Sequence, residues 1–353
     1  MERRRQLGTL SPLARGQVMA FVVGSIVLSL ASMPQVRAGK GGEGGGDALA
    51  ELRSFFGPEG GRSLRSDMNP ERRLRAAMAD GTTSLYELTA DVTLTSSLPP
   101  LSKDFAVTGK CAGRRCVING GGKFRGFVAQ SASLSLSGLD LVGMKTVGKG
   151  VNAFEYDTSG GAVYVRDGVL TVKNCVFRRN KAKKAMGGGA IAMLDTRFLI
   201  SDSELTGNSV DGSGGAIAAW SNSYGELRRT KLSGNKAGYY GGAANFREAG
   251  AKITECEFSG NHAGKNGGAL LLSEAGGTVI ASSRFERNSA PKGLGGALRV
   301  IANDDGPTVC ASTTFTNNSA KDKTTSDTSV EGGETTFCPA PPAPGPSACS
   351  ACK

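Results

Sequence analysis

Residues 200–220 read ISDSELTGNSVDGSGGAIAAW, and residues 227–245 read LRRTKLSGNKAGYYGGAAN. Laid over one another, the two segments share Leu-x-Gly-Asn and then Gly-Gly-Ala at nearly the same offsets. Working outward, an apolar residue followed three positions later by asparagine recurs at Phe177 and Asn180, Leu205 and Asn208, Leu232 and Asn235, Phe258 and Asn261, Phe285 and Asn288, and Phe315 and Asn318. The asparagines lie 28, 27, 26, 27 and 30 residues apart. Gly-Gly-Ala keeps step with them, beginning at Gly160, Gly188, Gly214, Gly241, Gly267 and Gly295. Two marks held in register over six units identify a chain that grows by stacking one short unit on the next.

Within each unit the spacing is that of strands. Five residues before each Phe or Leu stands Val172, Ile200, Leu227, Ile253, Ile280 or Cys310, and two before it stands Cys175, Ser203, Thr230, Cys256, Ser283 or Thr313. Such columns arise when every unit is one turn of a parallel coil, equivalent residues stacking at about 4.8 Å. The residue just before the Phe or Leu alternates in charge, as Glu204, Lys231, Glu257 and Arg284, which places opposite charges on neighbouring turns. Asn180, Asn208, Asn235, Asn261, Asn288 and Asn318 are expected to form an inward ladder, since a stacked amide carries both the donor and the acceptor its neighbours need.

Composition agrees. Glycine supplies 52 of 353 residues without a strict every-third-residue period, which excludes collagen. Aromatics are only 6%, so the core is built from small and aliphatic side chains. A lone histidine, His262, excludes enzymes that need a histidine pair. The first 38 residues read as an export signal: Arg3, Arg4, Arg5 and Arg15, then an uncharged apolar run from Val18 to Met33, then Val36-Arg37-Ala38 as a cleavage site. That run is shorter than the roughly 20 residues a membrane-spanning helix needs, and no transmembrane span is expected in the mature chain. Removing the leader takes the net charge from +11 to +7, an excess that admits acidic polysaccharide partners.

The alternation of Phe-x-x-Asn with Gly-Gly-Ala resembles the repeats of the polymorphic outer membrane proteins of chlamydiae and of related parallel β-helix proteins, similar in fold to the pectin lyases. The resemblance covers 160–320 firmly and 82–159 loosely. It implies an all-β, right-handed parallel β-helix solenoid and, in the bacterial relatives, surface-exposed adhesins carried by a C-terminal membrane barrel. This sequence departs there, with a polar linker and a Pro-rich stretch from Cys338 to Pro346. The expected organisation is a signal peptide over 1–38, a Gly-rich linker and helical cap over 39–80, about nine coils over 81–320, and a polar, Cys-containing tail over 321–353. Helices are predicted over Ala48 to Phe56 and after Asn69-Pro70, with Asn69 as N-cap.

Cys111 and Cys116 are a local disulfide candidate. Cys175, Cys256 and Cys310 read as buried thiols. Cys349 and Cys352 read as bridged to each other or to Cys338, and His262 as a solvated turn residue. Asp304-Asp305 has the right groups for a glycosidase, but neighbours on a strand face opposite ways. Asp157, Asp195 and Asp211 are scattered along the chain. No catalytic, cofactor or metal site is expected. The basic residues Arg178, Arg179, Lys181, Lys183 and Lys184, with Arg228 and Arg229 further on, are the candidate ligand-binding set. They point to a monomeric, exported surface recognition or adhesion protein that takes acidic polysaccharide or another cell-surface glycan or protein, not nucleic acid. A lyase or hydrolase of acidic polysaccharide is the alternative, and a structural envelope component a second.

Overall fold

The computed structural model describes residues 68–146, 148, 158–183, 187–302, 305–331, 334–338 and 352. The expected leader, the linker with its first helix, and most of the Pro-rich tail lie outside these residues.

One turn of the coil shows how the sequence builds it. Arg197–Ser201, Glu204–Thr206, Ser209–Val210 and Ile217–Trp220 are four strands on four sides, joined by bends. Each pairs in parallel with its equivalent one unit on, Arg197 opposite Tyr224, Glu204 opposite Lys231, Ser209 opposite Lys236 and Ile217 opposite Ala244. Repetition yields four parallel sheets of ten, nine, six and eight strands. We call these the first to fourth sheets in the order that a coil visits them.

The chain is thus an all-β parallel solenoid. Its apolar columns fill the interior: Val172, Ile200, Leu227, Ile253 and Ile280 are fully buried. Phe258, Phe285 and Phe315 stack with ring centroids 4.5 and 5.0 Å apart. The Gly-Gly pairs serve the corner into the fourth sheet. Gly214 holds a φ of 72°, and a β-carbon on Gly215 would meet the Gly242 carbonyl oxygen at 1.9 Å.

A helix, Pro70–Asp80, packs Leu74 and Met78 into the core at the first coil. Asn69 caps it, its side chain accepting from the Arg72 N–H, and Gly81 ends it.

Three expectations need correction. The coil count is about eight rather than nine, as the eight strands of the fourth sheet show. The coil also continues past residue 320: Thr328–Glu331 pairs with Leu298–Ile301, and Glu334–Cys338 with Asp305–Cys310. Those strands lack both sequence marks, and backbone pairing needs neither.

Cys310 is the third. Val309, opposite Ile280, takes the apolar column, so Cys310 faces the other way and bonds Cys352. The unit is longer there than its neighbours, which shifts the column by one residue. Cys338, level with Cys310 on the next strand, is disulfide-bonded as well, whereas Cys175 and Cys256 are buried free thiols. Burial pushes both of those thiols up to about 12. Cys111 and Cys116 bond each other with Cα atoms 5.3 Å apart.

Candidate functional site

The asparagine ladder is structural and sets the register for everything outside it. Each amide nitrogen donates to the side-chain oxygen of the next asparagine, at 3.0, 3.0, 3.0, 2.9 and 3.0 Å from Asn180 to Asn318. The same nitrogen donates to a carbonyl of the preceding coil, and the same oxygen accepts a backbone N–H. Inside the ladder all four hydrogen-bonding positions of an amide are thus used. Met144 occupies the column before Asn180 and contributes its backbone N–H, while Asn318 ends the ladder by donating to Asp327 at 3.0 Å.

The residue after each asparagine starts the third sheet and points outward, which gives the column Lys181, Ser209, Lys236, His262, Ser289 and Ser319. Behind it Ala182, Val210, Ala237, Ala263 and Ala290 are buried, so the column stands on a packed wall.

The basic residues singled out in the sequence do not share one face. Arg178 ends a second-sheet strand and is held by Asp140. Arg228 ends a first-sheet strand, and Arg229, at the bend beyond it, pairs with Asp202 at 2.7 Å. Arg179 sits in a left-handed turn at φ 54°. Lys181 and Lys183 belong to the third side, Lys181 lying 3.9 Å from Asp211. Lys184 lies outside the described residues. The alternating outward column does pair across coils, Lys231 to Glu257 at 3.4 Å.

The third side carries a set that sequence reading did not single out. Lys236, Lys265 and Lys292 are exposed, and among the described residues none of them forms an ion pair. Lys265 places its ammonium 4.8 Å above the Tyr239 ring and 5.8 Å from Tyr240. His262, half-buried near Lys236 and Lys292, shares a hydrogen bond with Ser289 through Nδ1 at 2.9 Å. Its imidazole is held below its ordinary value of 6.5 by burial first, then by Lys236 and Lys292. The signal was available as a column: Lys181 and Lys236 follow their ladder asparagines by one residue, whereas Tyr239, Lys265 and Lys292 follow theirs by four.

Carboxylates gather elsewhere. At the corner between the fourth and first sheets a shallow groove of about 420 Å³ is lined by Asp167, Asp195, Asn222 and Arg197. Arg166 pairs with Asp167 at 3.2 Å, and Asn222 donates to Asp195 at 3.2 Å. Asp211 is on the third side, so Asp195 and Asp211 are not brought together. Asp157 and Asp304 lie outside the described residues, as does the Asp305 side chain. Among the described residues no group of three His, Cys, Asp or Glu side chains could hold a metal, and no helix is long and apolar enough to cross a membrane.

Residues 255–273 match the Chlamydia polymorphic membrane protein (Chlamydia_PMP) repeat. The matched segment runs from the bend before the second sheet, through Phe258, Asn261 and Gly267, to the end of the fourth-sheet strand Leu270–Ser273, which is most of one coil. No curated protein matches the chain.

Proposed function

We propose that the protein is an exported, non-catalytic surface recognition protein that holds acidic polysaccharide through the third side of its coil. One observation carries this reading: Lys236 and Lys292 lie near His262, Lys265 stands over the exposed Tyr239 ring, and among the described residues none of the three lysines pairs with a carboxylate. Charges already paired, such as Arg178 with Asp140, have their attraction spent within the chain, whereas unpaired ammonium groups are available to sulfate or carboxylate. Likeness to a repeat of a membrane-protein family fits a place at the cell surface.

The test is retention of the chain from Gly39 onward on immobilised polygalacturonate and heparin. Binding is expected at low salt and lost at high salt, because the screening length falls from about 10 Å at 0.1 M to about 3 Å at 1 M. Changing Lys236, Lys265 and Lys292 together to Ser should abolish retention, and changing Arg178 and Arg229 to Ser should not. Retention that survives the lysine changes overturns the assignment of the face. Accumulation of new reducing or unsaturated chain ends overturns the non-catalytic reading.

A further inference from the structure

We infer that the disulfides at the far end of the coil form a redox latch: a thiol reductant that breaks them releases the strand Glu334–Cys338 and bares the edge of Asp305–Cys310, while the coils before it stay closed. The binding face plays no part in this.

The last turn lacks what holds the others. The amide ladder stops at Asn318, which donates to Asp327 at 3.0 Å. The apolar columns run on for one more strand without being covered. Val309 and Val300 are 3% and 1% exposed, whereas Phe337, level with Val309, and Val330, level with Val300, are 53% and 41% exposed. An apolar side chain left half in water gains only part of its transfer energy, so burial holds Glu334–Cys338 weakly. Among the described residues this strand is the last of the first sheet, paired on one side only. What fastens it is covalent. Cys338 at its end is disulfide-bonded, and Cys310, level with Cys338 on the neighbouring strand, bonds Cys352. Such bonds act by restricting the released chain, which is where a weakly packed strand needs help.

Thr328–Glu331, the strand before it in the chain, is fastened by other means. Arg299, only 4% exposed, donates to the Ser329 hydroxyl at 2.6 Å and pairs with Glu331, and Asp327 takes the last amide of the ladder. A thiol touches none of these contacts, so loosening stops at Glu331.

The chemistry is thiol–disulfide exchange with a dithiol. Its thiolate attacks the sulfur of Cys352, the half-buried member of the pair, and Cys310 leaves as a thiolate that takes up a proton. The second thiol of the reductant then displaces Cys352, and two electrons and two protons have passed to the cysteine pair for one disulfide formed in the reductant. The return is orderly because the free thiols of Cys175 and Cys256 lie in the coil interior, where burial pushes them up to about 12 and keeps them from attacking. The strand is therefore docked in an oxidising space and free in a thiol-rich one.

The experiment is hydrogen exchange of the whole chain, read by mass spectrometry with and without dithiothreitol. Reduction should speed exchange in Glu334–Cys338 by about tenfold or more, leave Thr328–Glu331 and the ladder coils unchanged, and reverse on reoxidation. A Cys111→Ser, Cys116→Ser variant, which removes the other disulfide a reductant would break, should respond in the same way. A Cys310→Ser, Cys338→Ser, Cys352→Ser variant should exchange fast in Glu334–Cys338 whether or not reductant is present. Alkylation after reduction should label Cys310, Cys338 and Cys352 and spare Cys175 and Cys256. Exchange in Glu334–Cys338 that ignores the reductant overturns the latch, and so does loosening that spreads to the coils around Asn235. Labelling of Cys175 or Cys256 overturns the orderly return.

Discussion

The coils from Asn180 to Asn318 and the opening coils from Leu85 to Lys145 have the same backbone plan and different means of holding it. In the former, the amide ladder repeats one solution in every coil, each asparagine satisfying the next. In the latter, Met144 stands where the asparagine would be, and Asn119 turns its side chain locally to accept from the Gly121 N–H at 2.8 Å. That region relies on devices used once. The Cys111–Cys116 disulfide closes one bend. The buried Glu71 ties the helix to the first coil, accepting from Arg75 at 2.7 Å and from the Thr95 N–H at 2.9 Å. A repeated device spreads its failure to neighbours, whereas a single device fails alone.

The largest expected effect breaks the repeated device. Asn235→Leu orphans the backbone and amide donors of Asn208 and the Leu205 carbonyl that its own nitrogen serves, and should cost about 3 kcal/mol or more. Urea unfolding measures it, and the loss should extend over several coils in hydrogen exchange. A drop below about 1 kcal/mol would mean that the ladder does not hold the coils together.

Glu71→Gln breaks the single device. It weakens charge-assisted bonds to Arg75 and Thr95 and should cost about 2 kcal/mol, with exchange rising in Pro70–Asp80 and Leu85–Leu88 only. Equal loosening of the coils around Asn235 would erase the contrast between the regions.

Acid should separate the regions further. Burial alone would raise the Glu71 carboxyl, but the Thr95 N–H and Arg75 outweigh it and leave the group below its ordinary value of 4.5. With a depressed folded value, its stabilisation is present above pH 4.5 and is lost as pH falls through the folded value. The helix and first coil should loosen before the ladder does, because the amides do not titrate, and Glu71→Gln should remove that early loosening.

Smallest of all is Lys236→Ser, an exposed change expected to shift stability by less than about 0.5 kcal/mol. It sharpens the division between the inward asparagine and the outward lysine next to it. Equal destabilisation by the changes at Asn235 and Lys236 would refute the inward and outward assignment.

Much of this was legible in the chain. A repeat of about 27 residues repeats its environments too, so Asn208 and Asn235 betray a common fate without any knowledge of contacts. The capped helix after Asn69 and the Cys111–Cys116 pair were local enough to read. Legibility failed where a mark was lost or a count slipped. The strands Thr328–Glu331 and Glu334–Cys338 carry no asparagine, and one extra residue put Val309 where Cys310 was expected.

The sequence by itself determined the stacking, the ladder and the sides to which strand residues point, because these follow from period and alternation. Tertiary structure alone decided which charges remain available. Asp140 cancels Arg178 from 38 residues away, and Asp202 cancels Arg229 from 27. Lys236, Lys265 and Lys292, scattered in the chain, share one side only because parallel pairing stacks successive coils at about 4.8 Å. Charge interactions depend on separation in space, and in a coil that separation is set by the stacking of turns rather than by distance along the chain.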